Sequence, residues 1–141
     1  MRIAILSSKY VQDKTYALEN CLEKLILEKE LPVTRFLMTS ALFKQSKAFT
    51  SEADIIKGLK LTEVKTFSES PKIYKRNAEF YANKNVLKDA DGVIIFHLIG
   101  DHNFAKSVRY AAKTGIPSML FTYNSRLNKF ELNPNYDCQD L

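Results

Sequence analysis

Short runs of apolar residues alternate along this chain with stretches whose apolar positions recur every three or four residues, the signature of strands and amphipathic helices laid down in turn. Ile3 to Leu6 form a continuous apolar run, as a strand covered on both faces of a parallel sheet requires. Asp13 is placed to cap a helix carrying Leu18, Cys21, Leu22, Leu25 and Ile26, which ends before Pro32. Val33 to Thr39 reads as a second strand. Ser51 and Asp54 form a capping-box pattern ahead of Ile55, Ile56 and Leu59, where Gly58 costs ~1 kcal/mol of helix propensity relative to Ala. Glu63 to Phe67 is a short third strand. Ser70 and Pro71 suit the N-cap and first position of a helix marked by Ile73, Asn77, Phe80, Tyr81, Val86 and Leu87, which Asp91 and Gly92 break. Val93 to Leu98 is the clearest strand, and Phe104, Val108, Ala111 and Ala112 mark the helix after it. Gly115 stands at a left-handed C-cap position, Pro117 forbids continuation, and Met119 to Tyr123 supplies a fifth strand. Beyond Asn124 there is turn chemistry without a strong period: a surface excursion or a short extra strand, with an acidic tail at residues 131–141.

This alternation predicts the α/β class. The expected architecture is one doubly wound, Rossmann-like domain over residues 1–141, a five-stranded, mainly parallel sheet of order 3-2-1-4-5 with helices on both faces. A chain of 141 residues with 45% apolar and 26% charged composition is large enough for a single core. Two distant cysteines, Cys21 and Cys138, make no disulfide framework and point to a reducing compartment. No apolar run approaches the roughly 18 residues of a membrane span, and the opening segment is too short in its apolar part for a signal peptide, so the expected location is cytoplasmic. The net charge is +5, with every Lys and Arg ahead of residue 130 and only acids in the tail. A basic body attracts nucleic acid and phosphate-bearing small molecules alike, and charge does not separate the two.

Doubly wound sheets bind ligands outside the carboxyl ends of their strands, where the connection direction reverses. Here that point lies between the first and fourth strands. The loops at residues 7–13 and 98–104 lead into helix N-termini, whose unpaired amides favour an anion. Ser7, Ser8, Lys9 and Tyr10 offer two hydroxyls, an ammonium and an aromatic face, or else form an ordinary polar turn. Arg76 suits a phosphate or carboxylate, although it also reads as a surface helical residue near Glu79. Asn77 lies on an apolar stripe and needs partners, either a ligand or a strand end. Gly100, Asp101, His102 and Asn103 form a polar loop suited to a ribose or base. His97, inside its strand, reads as a packed and hydrogen-bonded core residue. His97, Asp101 and His102 lack a zinc or iron spacing, so neither metal nor cofactor is expected. Neither cysteine lies near a histidine, Walker-type and nucleophile-elbow motifs are lacking, and no catalytic residue is assigned.

The opening strand followed by Ser7-Ser8-Lys9-Tyr10, the helical Lys75-Arg76-Asn77, the run from Asp89 to Asn103 and the helix ending in Gly115-Ile116-Pro117 together resemble the SLOG superfamily. This Rossmann-like group includes LOG-type phosphoribohydrolases and the DNA-processing protein DprA; the similarity is nearest to its small YspA-like members and covers about residues 1–123. Members often carry Gly-Ser-Arg where Ser7-Ser8-Lys9 stands here, Arg-Asn where Arg76-Asn77 stands, and a loop with Gly and Thr at Gly100 to Asn103, which here lacks the Thr. Their second strand is followed by a glycine-rich loop. Met38 to Lys47 contain no glycine, so an anion there meets Thr39, Ser40 and Lys44 through side chains rather than amides.

The resemblance implies binding of a nucleotide or nucleotide-derived ligand, as a sensor, a sequestering protein or a degenerate enzyme. It also leaves open a nucleoside-monophosphate hydrolase that splits an N-glycosidic bond. Residues 85–117 further resemble nucleoside deoxyribosyltransferases, but that chemistry needs a glutamate nucleophile at the start of the next helix, and Asn103 to Tyr110 contain no carboxylate. A different class is an interaction protein of a phage or mobile element that engages a host protein or nucleic acid; self-association is compatible with either class.

Overall fold

Parallel strands need both faces covered, and the computed structural model, which describes residues 1–8, 21, 28, 33, 35–45, 63–67 and 77–133, shows how this chain meets that demand. In chain order the elements are β1 (Arg2–Ser7), β2 (Arg35–Thr39), α1 (Ser40–Gln45), β3 (Glu63–Phe67), α2 (Ala78–Lys88), β4 (Gly92–His97), α3 (His102–Thr114), β5 (Ser118–Asn124) and β6 (Lys129–Leu132). They build one sheet in the order β3-β2-β1-β4-β5-β6. Every neighbouring pair is parallel except β5 and β6. The readings at Asp13, at Ser51 to Leu59, at Ser70 to Ile73 and beyond Asn133 lie outside the described residues.

Alternation along the strands sends side chains into two cores. Ile3, Ile5, Phe36, Met38, Ile94, Phe96, Met119 and Phe121 fill one face, with Leu42 of α1 and the half-buried Cys21 against it. Ala4, Leu6, Leu37, Val93, Ile95 and Leu120 fill the other, under Val86 and Leu87 of α2 and Phe104 and Ala111 of α3. Among the described residues, no helix is long and apolar enough to cross a membrane.

One expectation needs correction. The sheet has six strands rather than five, because the segment after Asn124 turns back as an edge strand. Phe130 drives this: it is buried and packs edge-on against Phe96 and Tyr123, with centroids at 5.1 and 5.4 Å. The Asn124 side-chain oxygen fixes the turn by accepting from the Arg126 and Leu127 amides at 3.0 and 3.3 Å. Where the resembled family has a glycine-rich loop after its second strand, this chain has a short helix: Thr39 Oγ1 accepts from the Leu42 amide at 3.3 Å, and Leu42 enters the core.

A polar seam joins α2 and α3. Asn83 donates to Ser107 Oγ at 3.0 Å, and Asn103 donates to Glu79 Oε2 at 3.3 Å. Both pairs are offset by four residues on each helix, so the bonds form two rungs one turn apart and set the helices parallel. Phe80 meets Tyr110 edge-on at 5.9 Å, and the Lys84 ammonium lies 5.3 Å from the Tyr110 ring centre. The last turn of α3 ends as its sequence predicts, with Gly115 left-handed at φ 76°.

Candidate functional site

The carboxyl ends of β1 and β4 finish level, with Ser7 opposite Phe96. Ser8 then binds the two strand ends together. Its amide donates to Phe96 O and its Oγ accepts from the Leu98 amide, both at 3.1 Å. The Ser7–Ser8 turn and the loop after β4 therefore meet at one rim. Ser8 is 1% exposed, so it is a fastener rather than an open phosphate ligand. Ser7 Oγ donates to Ser8 O at 3.4 Å.

Other expected contacts are also spent locally. Thr39 is occupied in capping α1, and Ser40 is the first residue of that helix. Asn77 is the N-cap residue of α2, half-buried and without a side-chain capping bond. Gly100 has φ 97°, which explains a glycine there, but a Cβ would meet nothing within 4 Å, so close backbone approach is not the reason. Asp101 caps α3, its Oδ1 accepting from the Phe104 amide at 3.1 Å. The His102 amide donates to Gly100 O and the Ala105 amide to Asp101 O, so most first-turn donors of α3 are already engaged. The His102 side chain is exposed, and Asn103 is tied to Glu79. Lys9, Tyr10 and Arg76 lie outside the described residues.

The same rim holds two buried polar atoms that the fold leaves without a bond. His97 Nε2 and Asp101 Oδ2 are buried and have no hydrogen-bond partner. The His97 ring packs 5.6 Å from that of Phe104, so the residue is packed as expected, but Nε2 is not hydrogen-bonded. The only signal in the sequence was a lone polar ring at the end of an otherwise apolar strand. A carboxylate oxygen accepts, and an imidazole nitrogen donates or accepts according to tautomer, so each atom has unused hydrogen-bonding capacity.

A cavity of about 520 Å³, to whose lining neither His97 nor Asp101 contributes, is bounded by Ile99, residues 122–126 and residues 131–133. None of these was singled out as a site residue from the sequence. Much of its polar lining is internally bonded: Asn133 Nδ2 donates to Thr122 Oγ1 and Asn124 Nδ2 to Glu131 Oε1, each at 3.3 Å. Lys129 adds an ion pair to the same Glu131 oxygen at 3.9 Å. Arg126 is the one cation among the lining residues. Among the described residues, no group of three or more His, Cys, Asp or Glu side chains is placed to hold a metal. No protein-family model matches this chain, and no curated protein or solved structure gives a match.

Proposed function

We propose that this chain binds a nucleotide or nucleotide-derived small molecule at the carboxyl rim of a doubly wound, SLOG-like sheet, as a sensor or sequestering protein without robust catalysis. The observation that carries the reading is the unpartnered pair, His97 Nε2 and Asp101 Oδ2, at the rim where β1 and β4 meet. A buried polar atom without a partner costs about 1–3 kcal/mol, a cost that a ligand supplying the missing bonds would offset. The neighbouring cavity of about 520 Å³ also falls within the range of small-molecule sites.

Calorimetric titration of the full chain with a panel of nucleoside mono-, di- and triphosphates tests this. At least one member binds, and His97→Ala and Asp101→Asn each weaken it about tenfold or more. The Asn variant keeps an oxygen to cap α3, so loss of binding with an intact fold separates ligand contact from capping. No heat with any nucleotide overturns the reading. Release of free base from a nucleoside monophosphate would move it to the phosphoribohydrolase-like alternative.

A second reading has its own observation. The paired helices α2 and α3 carry Lys84, Lys88, Lys106, Arg109 and Lys113, and their one carboxylate, Glu79, is buried. Such a face suits a nucleic-acid backbone, as an interaction protein would need. Duplex DNA binding that falls steeply with salt and disappears on reversing Lys106 and Arg109, in a chain indifferent to nucleotides, would favour it.

A further inference from the structure

Helices α2 and α3 lie side by side, joined by the Asn83–Ser107 and Asn103–Glu79 bonds, and one residue spacing recurs on both. Tyr81, Lys84 and Lys88 on α2, and Lys106, Arg109 and Lys113 on α3, stand at i, i+3 and i+7, which puts three side chains on one face of each helix. We infer that these two rows form a binding strip for a single strand of nucleic acid, its phosphates on the cations and a base stacked on Tyr81. The inference rests on the nucleic-acid reading above, not on the nucleotide site, and adds the kind of strand to it.

The cations of the strip are not neutralised by the fold. Lys88, Lys106, Arg109 and Lys113 are exposed, and among the described residues neither they nor Lys84 take part in an ion pair. No carboxylate occurs on α3, and Asp89, which follows Lys88, caps α2 and acts with its charge on Arg2 at the amino end of the sheet. Aromatic rings interleave with these charges. Tyr81 is 37% exposed, and its ring meets Phe80 edge-on at 5.6 Å; Phe80 in turn meets Tyr110, under the Lys84 ammonium. A duplex keeps its base faces stacked inside and offers a helical surface phosphates and base edges only. A single strand offers phosphates and base faces together, which is what cations interleaved with rings match. From Lys106 to Lys113 the strip runs roughly 10 Å at about 1.5 Å per residue, so it takes a short stretch of strand.

Fluorescence anisotropy of the intact chain with a labelled oligodeoxythymidine, an abasic strand of the same length and the corresponding duplex tests this. The variants are Tyr81→Ala, Tyr81→Phe and Lys106→Ala, with thermal unfolding as the check on folding. The wild type binds the thymidine strand about tenfold or more tighter than the abasic strand, the step that stacking one base implies. Tyr81→Ala removes that preference and leaves abasic binding as it was, whereas Tyr81→Phe, which keeps a ring, retains it. Lys106→Ala weakens both strands and flattens the slope of log affinity against log salt by about 0.7, as the loss of one phosphate contact on a single strand does. A preference for thymidine that survives Tyr81→Ala overturns the inference. Duplex bound as tightly as the thymidine strand, or equal affinity for the thymidine and abasic strands, overturns it too and leaves the nucleic-acid reading standing. Failure of the wild type to bind any of the three overturns that reading itself.

Discussion

The two ends of the same sheet treat their polar groups in opposite ways. At the amino end, Arg2 and Asp91 clasp β1 to the start of β4. The Arg2 amide donates to Asp91 Oδ2 at 2.8 Å, the guanidinium adds two contacts at 3.3 Å, and the Asp91 amide returns a bond to Arg2 O at 2.8 Å. These bonds, the side-chain one foremost, hold the Asp91 carboxyl below its usual range and push the Arg2 guanidinium up. At the carboxyl end Ser8 provides a comparable fastening, yet His97 Nε2 and Asp101 Oδ2 beside it lack partners. One end is closed by reciprocal bonds between its own residues, and the other keeps two bonding positions free. The difference is local, whereas the basic residues are spread over the whole body.

Three substitutions would break or sharpen this contrast. The largest effect is expected from Ser8→Ala, which leaves the Leu98 amide without its acceptor and costs about 1–3 kcal/mol in urea unfolding. A cost near zero would mean that the two strand ends are not fastened there. His97→Leu comes next and runs the other way. Replacing a buried nitrogen that lacks a partner should leave stability unchanged or raise it by up to about 1 kcal/mol, while nucleotide binding is lost. Destabilisation as large as that of Ser8→Ala would show that Nε2 is satisfied within the protein.

The smallest effect is expected from Asp91→Asn, at an exposed clasp. Because folding lowers this carboxyl's pKa, its contribution to stability is present above the unfolded carboxyl value and fades as pH falls through the folded one. Wild-type and variant stabilities should therefore differ at neutral pH and converge in acid, with a smaller gap in high salt. Parallel curves across that range would remove the clasp from the comparison.

Much of the fold is legible because parallel strands must be apolar on both faces. The runs at Ile3 to Leu6 and Val93 to Phe96 announce themselves that way, and Gly115 marks the end of α3 through a backbone angle that favours glycine. The strand at Lys129 to Leu132 is harder to read, since four residues give one buried position, Phe130, and no measurable period. The site is less legible still. Ser8 and Thr39 carry hydroxyls that suit an anion, and only the fold shows that a neighbouring amide has claimed each of them. The value of His97 is equally hidden, because a nitrogen without a partner is a property of its surroundings. Asn83 and Ser107 look unremarkable apart, and they become a pair only when two helices align in register.

The turn between β5 and β6 has a further consequence. Its shape is set from within: Asn124 holds two amides, Tyr123 hydroxyl bonds the Asn128 side chain, and Asn128 takes the left-handed conformation at φ 52°. Residues 125–127 project into solvent without entering either core. The tip can therefore accept substitutions or a short insertion while the scaffold stays intact, as exposed loop tips do.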